Sequence, residues 1–300
     1  MTNTDDPMDT DDLVYHVDGD LVPASEACVS VDDRGFRYGD AAFETCRVYG
    51  GTVFEWEAHA ARLERTCAAL SIDHDLSADE LRARIDETLA ANALADASVR
   101  LSITRGVQPG KLTPKRDVDP TVVITVDPLP RGGVGGEPVW GDRATVRTVS
   151  TRRTPEAAVP SAAKTHNYLN GILARLELRG TNADEALVCD LNGTVAEGAT
   201  SNLWFVREGS LFTPTTDGPV LPGITRSVVR DLAVEADVAV HEGRYSVEDV
   251  YAADEAFLTN RTWELRPIGL LDDHVIGGGP VTDRLSQLYD ERVERECYRP

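Results

Sequence analysis

The sequence predicts an α+β protein of two domains, and three observations lead there. Its 300 residues, 41% of them hydrophobic, are enough for two ordinary cores. Short strands and amphipathic helices mix in two blocks, with no internal repeat. Between the blocks, Pro128 to Pro138 (PLPRGGVGGEP) holds four glycines and no periodicity, the composition of a linker. The expected boundaries are a disordered acidic tail over 1–12, a small N-terminal domain over 13–127, the linker 128–138, and a larger domain over 139–300.

In the first block, Val14–Val17 leads through Asp18-Gly19 to Leu21-Val22, a small hairpin. Residues 42–49 form a strand closed by Gly50-Gly51 and answered by Thr52-Val53-Phe54. Two amphipathic helices are expected near 57–70 and 78–93; in the first, Ala60, Leu63, Cys67 and Leu70 share a face. Val99, Leu101 and Ile103 alternate with polar residues in a strand ending at Thr104-Arg105-Gly106, and 121–126 (TVVITV) is another strand. In that alternation Arg105 shares the apolar face, whereas Arg100 points the other way and reads as edge-strand surface.

In the second block, Thr145–Val149 is a strand, and Tyr168, Leu169, Ile172, Leu173 and Leu176 form the apolar face of a helix. Ala186–Cys189 turns at Asn192-Gly193, a hairpin signal. Leu203–Val206 and Leu211-Phe212 are strands joined by Glu208-Gly209, and a helix from about 224 carries Val228, Val229, Leu232 and Ala233. Ser246 with Asp249 has the form of a capping box, Phe257-Leu258 is a last strand, and 282–297 is a charged helix.

Thirty Lys and Arg against 51 Asp and Glu leave a net charge of −21. That sign argues against nucleic acid or an anionic membrane as the main partner. No apolar run approaches a membrane span, and the acidic first dozen residues are the opposite of a signal peptide. The five cysteines are scattered without a C-x-x-C pair, which reads as reduced thiols in a cytoplasmic protein with neither disulfide framework nor metal site. A surface rich in acid and nearly without lysine fits a salt-adapted (halophilic) protein; a fold indifferent to removal of molar salt would count against that.

Only Lys111, Lys115 and Lys164 are lysine. The first two sit in a polar loop and read as solvated charges. Lys164 lies among small residues just before a helical face. There, desolvation and the helix dipole could lower its pKa toward a nucleophilic amine, or it could be an ordinary surface lysine. Leu221-Pro-Gly-Ile224-Thr225 precedes a helix, where free N–H groups and a hydroxyl suit an anion and equally suit a plain N-cap.

Lys164-Thr-His-Asn-Tyr168-Leu-Asn-Gly, Glu197-Gly-Ala-Thr-Ser-Asn202-Leu and Leu221-Pro-Gly-Ile-Thr225-Arg226 resemble, in that order, the motifs of class IV (fold type IV) pyridoxal-phosphate enzymes. Arg34-Gly-Phe-Arg-Tyr38-Gly-Asp40-Ala-Ala-Phe43-Glu44-Thr45 and His59-Ala-Ala-Arg62-Leu63 look like the group's N-terminal motifs. The likeness runs from about residue 13 to the end. It implies a small N-terminal domain, a larger C-terminal domain with a mixed, barrel-like sheet, and a homodimer. It also implies that Lys164 holds pyridoxal 5'-phosphate as an internal aldimine and shuttles the substrate proton. Glu197 would face the pyridine nitrogen and keep the ring an electron sink. Tyr168, four residues on and on the same helical face, would bond the phenolic oxygen.

The resemblance gives the phosphate to Leu221, Ile224, Thr225 and Arg62, with a second turn at Asn260 and Arg261. That turn departs from the aminotransferases, which usually have a small Gly or Ser and then Thr there. Arg105 resembles the carboxylate-binding arginine of D-amino-acid aminotransferases and of aminodeoxychorismate lyases. Tyr38 and Thr45 lie where the group lines its pocket. Without the motifs, Glu197 reads as a solvated hairpin acid, Tyr168 as core, Arg62 and Arg105 as ordinary charges, and Tyr38 and Thr45 as strand residues.

Two reactions fit. The group includes 4-amino-4-deoxychorismate lyases, which release pyruvate and form p-aminobenzoate for folate-type synthesis. It also includes aminotransferases that pass an amino group between branched-chain or D-amino acids and 2-oxo acids. Thr45, the run Thr181–Leu187 and Asn260 resemble the lyases more; Glu264 in Trp263-Glu264-Leu265 resembles the aminotransferases. The local details therefore favour the lyase, with Thr45 as proton donor to the leaving group, and the aminotransferase is the alternative.

Overall fold

The computed structural model describes residues 13–108, 110–115, 119–131 and 138–299. The acidic tail and most of the expected linker lie outside these. Contacts divide the chain into two compact units, with the break after Pro130.

The N-terminal unit contains β1 (Val14–Val17), β2 (Asp20–Pro23), α1 (Arg34–Tyr38), β3 (Ala41–Tyr49), β4 (Thr52–Val53), α2 (Trp56–Leu70), α3 (Ala78–Ala91), β5 (Ala97–Thr104) and β6 (Val122–Pro128). Its six strands form one antiparallel sheet in the order β2-β1-β6-β5-β3-β4. Helices α2 and α3 share a core with one face of it, closed by Cys46, Val99, Leu101 and Ile103 against Leu63, Cys67, Leu81 and Ile85. Ser77 and Glu80 start α3 with a reciprocal capping box, satisfying two otherwise orphaned N–H groups. The expected hairpin, strands and two helices of this block are all present. Arg100 is a correction: β5 is an inner strand, so Arg100 is half-buried, its guanidinium 3.8 Å from the centre of the Phe43 ring.

The C-terminal unit contains β7 (Ala144–Arg152), α4 (Leu169–Leu176), β8 (Glu185–Cys189), β9 (Val195–Gly198), β10 (Asn202–Arg207), β11 (Ser210–Pro214), α5 (Ile224–Glu235), β12 (Val240–Gly243), α6 (Val247–Tyr251), β13 (Glu255–Asn260), β14 (Glu264–Leu271), β15 (His274–Val275) and α7 (Pro280–Val293), which runs into a π-helical turn at Glu294–Tyr298. The strands form one mixed sheet, β12-β11-β10-β13-β14-β7-β8-β9, with β15 beside β14. The pairs β11/β12, β14/β7 and β7/β8 are parallel. The sheet curls until β9 at one end approaches β10 and β11, where Gly198 N–H donates to Ser201 O (2.7 Å). This is the mixed, barrel-like sheet expected. Leu187, Leu203, Phe205, Leu258 and Ile268 fill its interior.

Three strands went unread in the sequence. Pro267, Gly269 and a bulge between Ile268 and Leu270 break the alternation of β14. The strands β12 and β15 are short and largely exposed, with no buried face to impose a period. A second correction concerns α4. It begins at Leu169 with Tyr168 as its N-cap, so Lys164 and Tyr168 do not share a helical face. The apolar stripe of α4 faces outward: Leu169 is 65% and Ile172 54% exposed, and Leu173 and Leu176 are exposed too.

Candidate active site

In the C-terminal unit the expected residues meet in pairs, Lys164 with Tyr168 and Glu197 with Leu221. Lys164 lies half-buried in the bend before α4, and its Nζ donates to Tyr168 Oη (2.8 Å). A chain that folds back there achieves what the expected helix spacing would have done. Glu197 is buried on β9. Its Oε1 accepts from Arg153 Nε (2.7 Å), and its Oε2 from Asn202 Nδ2 (3.2 Å) and Leu221 N (3.0 Å). Burial pushes this carboxyl above the usual carboxylate range; the positive charges of Arg153 and Lys164 and the Leu221 N–H pull the other way.

Asn202 also donates to Leu221 O (3.0 Å), so one amide holds the acid and the loop leading to α5 at once. Gly223 is required at the next bend, because a Cβ there would collide with Asn202 Oδ1. Gly223 caps α5 with no side-chain acceptor, and Ile224 and buried Thr225 form the first turn. A helix start of this kind presents N–H donors and the positive end of the dipole to an anion.

At the second turn Asn260 Oδ1 accepts from Thr262 N (2.9 Å) and Trp263 N (2.7 Å). The asparagine therefore builds the turn with its side chain, and Arg261 sits half-buried within it. The sequence reading missed Arg153 and the acceptor that places it. Asn170 on α4 accepts from Thr154 N (3.3 Å) and Arg153 Nη1 (3.4 Å), and donates to Arg152 O (2.8 Å). Nothing in Arg152-Arg153-Thr154-Pro155 distinguishes one arginine from the other without the fold.

In the N-terminal unit Arg62 and Arg105 each engage an acid, Glu44 buried and Asp40 half-buried. Glu44 points from β3 toward the helices, and Arg62 engages it through Nε and Nη2 (2.7 Å each) while His59 Nδ1 lies 2.7 Å away. Burial alone would raise the Glu44 carboxyl, but Arg62 and His59 hold it down to about 2. Asp40 receives Arg34 Nε (2.8 Å), Arg105 Nε (2.8 Å) and Arg105 Nη2 (3.0 Å). Burial works to raise the Asp40 carboxyl, and the two arginines together bring it below its ordinary value.

Arg105 also donates to the main-chain carbonyls of Ser71 and Leu70, and Arg34 to those of Lys111 and Leu112. The guanidinium expected to meet a substrate carboxylate is thus engaged by an acid and two carbonyls of its own unit. The Tyr38 ring has the guanidiniums of Arg34 and Arg37 5.0 and 5.4 Å from its centre. Thr45 is buried on the other face of the sheet from Glu44, directly across from Arg100.

The donor set of the C-terminal unit suits pyridoxal phosphate. An amine and a phenol adjoin, a buried acid stands ready for a ring N–H, and an uncapped helix start is left for a phosphate. No group of His, Cys, Asp and Glu among the described residues is arranged to hold a metal, and no described helix is long and apolar enough to cross a membrane.

Comparison with known proteins agrees with this chemistry. The model of the family described as amino-transferase class IV matches residues 41–271. A putative branched-chain-amino-acid aminotransferase of Methanocaldococcus jannaschii is 37% identical, over 93% of this chain and 96% of its own length. The aminodeoxychorismate lyase of Bacillus subtilis is 31% identical, over 94% of this chain and 95% of its own. The solved structure of a branched-chain aminotransferase from Thermoproteus uzoniensis with norvaline superposes with a TM-score of 0.86 at 31% identity, covering 94% of each chain. With the family model spanning most of the chain and the expected lysine, acid and helix start gathered in one unit, the protein belongs to the class IV aminotransferases, a family of pyridoxal-phosphate enzymes.

Proposed function

We propose that the protein is an aminotransferase that passes an amino group between a branched-chain amino acid and a 2-oxo acid, with pyridoxal phosphate carried by Lys164. The observation that carries this choice is Arg105. The D-amino-acid aminotransferase and lyase readings rest on that residue as a carboxylate receptor, and here Asp40 and two main-chain carbonyls take four of its hydrogen bonds. The M. jannaschii and T. uzoniensis relatives support the same choice.

Bound in this site, pyridoxal phosphate supplies an electron sink for negative charge at the substrate carbon. The chain's own residues would do the rest. Lys164 moves the proton at the substrate Cα, and Tyr168 holds the cofactor's phenolic oxygen. Glu197, braced by Arg153 and Asn202, accepts the ring N–H. The backbone of Ile224 and Thr225 with the Thr225 hydroxyl, following Leu221, receives the phosphate. The turn at Asn260 and Arg261 contributes as a second phosphate site. Arg62, the family's phosphate arginine by resemblance, belongs to the same reading; its Nε and Nη2 are held by Glu44.

A homodimer belongs to this reading, supported by the exposed Leu169, Ile172, Leu173 and Leu176 of α4. So does a reducing, cytoplasmic setting, in keeping with five free cysteines. A lyase is the second reading, favoured by Thr45, whose hydroxyl shares the sheet face of Arg100 and Ser102.

One experiment separates them. Purified protein with pyridoxal phosphate is given L-leucine and 2-oxoglutarate, and separately aminodeoxychorismate with no 2-oxo acid. Glutamate formed from leucine, with pyruvate at background, is the expected result. Pyruvate from aminodeoxychorismate without amino transfer would replace the proposal by the lyase.

A further inference from the structure

Glu185 opens β8, in the run of five buried residues Glu185–Cys189, and is itself wholly buried. Strand propensity gives no reason for an acid there. Its carboxylate accepts five hydrogen bonds from two directions. Oε1 takes Ala186 N (2.9 Å) and Arg175 Nη1 of α4 (3.2 Å). Oε2 takes Thr200 N (3.1 Å), Thr200 Oγ1 (2.5 Å) and Ser201 Oγ (3.1 Å).

The second set matters most, because it fastens the turn between Glu197 and Asn202. The turn is also pinned by Ala199 N to Ala186 O (2.9 Å) and Gly198 N to Ser201 O (2.7 Å). It packs on Glu185 so closely that a Cβ at Gly198 would meet Ser201 Oγ and Glu185 Cγ. The two side chains at its ends touch each other, and Asn202 continues to Leu221. Thr200 O, on the far side, lies 3.5 Å from Asn260 Nδ2 of the second turn.

We propose that Glu185 is a positioning residue: by clamping Thr200 and Ser201 it sets the distance and orientation of Glu197 toward the cofactor ring. This rests on the reading of Glu197 as the group facing the ring nitrogen. The side-chain hydrogen bonds of Glu185 go to its own strand, to α4 and to the turn, so it acts through Glu197 and Asn202. A glutamine in its place keeps the shape but sets an NH2 group against an N–H donor whichever way the amide is turned. The turn would then move to relieve the clash.

The test uses the full chain and pyridoxal phosphate itself. Wild type, Glu185→Gln and Thr200→Val are titrated with the cofactor, and the visible band is followed against pH, with circular dichroism as the check on fold. Glu185→Gln is expected to weaken pyridoxal-phosphate binding about tenfold, the scale of one buried donor left facing another. It should also move the pH midpoint of the band by about half a unit, as a displaced charge at the ring would. Thr200→Val, which removes only the 2.5 Å hydroxyl bond, should move the midpoint in the same direction by less, and it carries the test if Glu185→Gln does not fold. A midpoint and affinity unchanged in the folded variants would overturn the proposal. Wild type that develops no visible band would instead overturn the functional reading beneath it.

Discussion

Two buried glutamates of this protein do opposite jobs. Glu44, in the N-terminal unit, is met by Arg62 through two nitrogens and by His59, which hold it as an anion down to about 2. Glu197, in the C-terminal unit, has one arginine, one amide and one main-chain N–H, and burial leaves its carboxyl raised. A buried carboxylate given more cationic donors than it needs is a fastening. One given fewer stays sensitive to the next cation that arrives, which is what a site for a protonated ring requires.

The same contrast separates Arg105 from Lys164. The arginine is consumed by Asp40 and the main chain, whereas the lysine stands half-buried beside a phenol. Buried ion pairs of the first kind hold a unit together when intact and are costly to break one partner at a time.

Substitutions put this contrast to the test. The largest effect belongs to Lys164→Ala: loss of the visible band and a fall in kcat of at least ~10^3-fold, within the range of a lost acid–base group. A retained band would mean that the cofactor is held elsewhere. Next is Glu44→Gln, which strands the Arg62 charge and should cost about 3–5 kcal/mol in urea unfolding. Glu44 titrates at about 2 folded against an ordinary 4.5, so its stabilisation is complete above about 4.5 and is lost as pH falls toward about 2. The variant should flatten that part of the stability curve; an unchanged acid limb would remove Glu44 as its cause.

Glu197→Gln should keep the fold and the band yet lower kcat about 100-fold, equivalent to about 2.7 kcal/mol. Wild-type turnover would leave Glu197 a structural acid with no part at the cofactor ring. Arg105→Met should cost about 2 kcal/mol of stability, as half-buried Asp40 loses one of two arginines, with KM for the amino acid unmoved. A large rise in KM at unchanged stability would restore it as a substrate receptor. The smallest effect is expected of Tyr168→Phe, about tenfold in kcat or about 1.4 kcal/mol, with a shift of the visible band.

Much of the fold was legible because its elements are local. The hairpins at Asp18-Gly19, Asn192-Gly193 and Glu208-Gly209, the capping box of α6, and the apolar face of α2 each declare themselves within a few residues. Strand β14 did not, since Pro267 and Gly269 sit in it and its neighbours β13 and β7 complete it. Of the proposed site, Lys164, Glu197 and Thr225 rest on motif order. It misread how Tyr168 reaches Lys164, because an i, i+4 spacing was taken for a helix where the chain bends. Arg153, Asn170 and Glu185 were not legible at all, for their partners lie up to 44 residues away along the chain in the case of Arg153 and Glu197.

Residue content alone sets the charge of −21 and the scarcity of lysine that singles out Lys164. Residue order sets the local turns and caps, and the ordered motifs of the family. Those properties depend on residue type and short spacing. Only the tertiary structure decided which charges are spent. It closed Arg62 on Glu44 and Arg105 on Asp40, left Glu197 under-supplied, and set Glu185 behind the turn that carries it. Ion pairing and burial depend on distances in three dimensions, and no spacing along the chain encodes them.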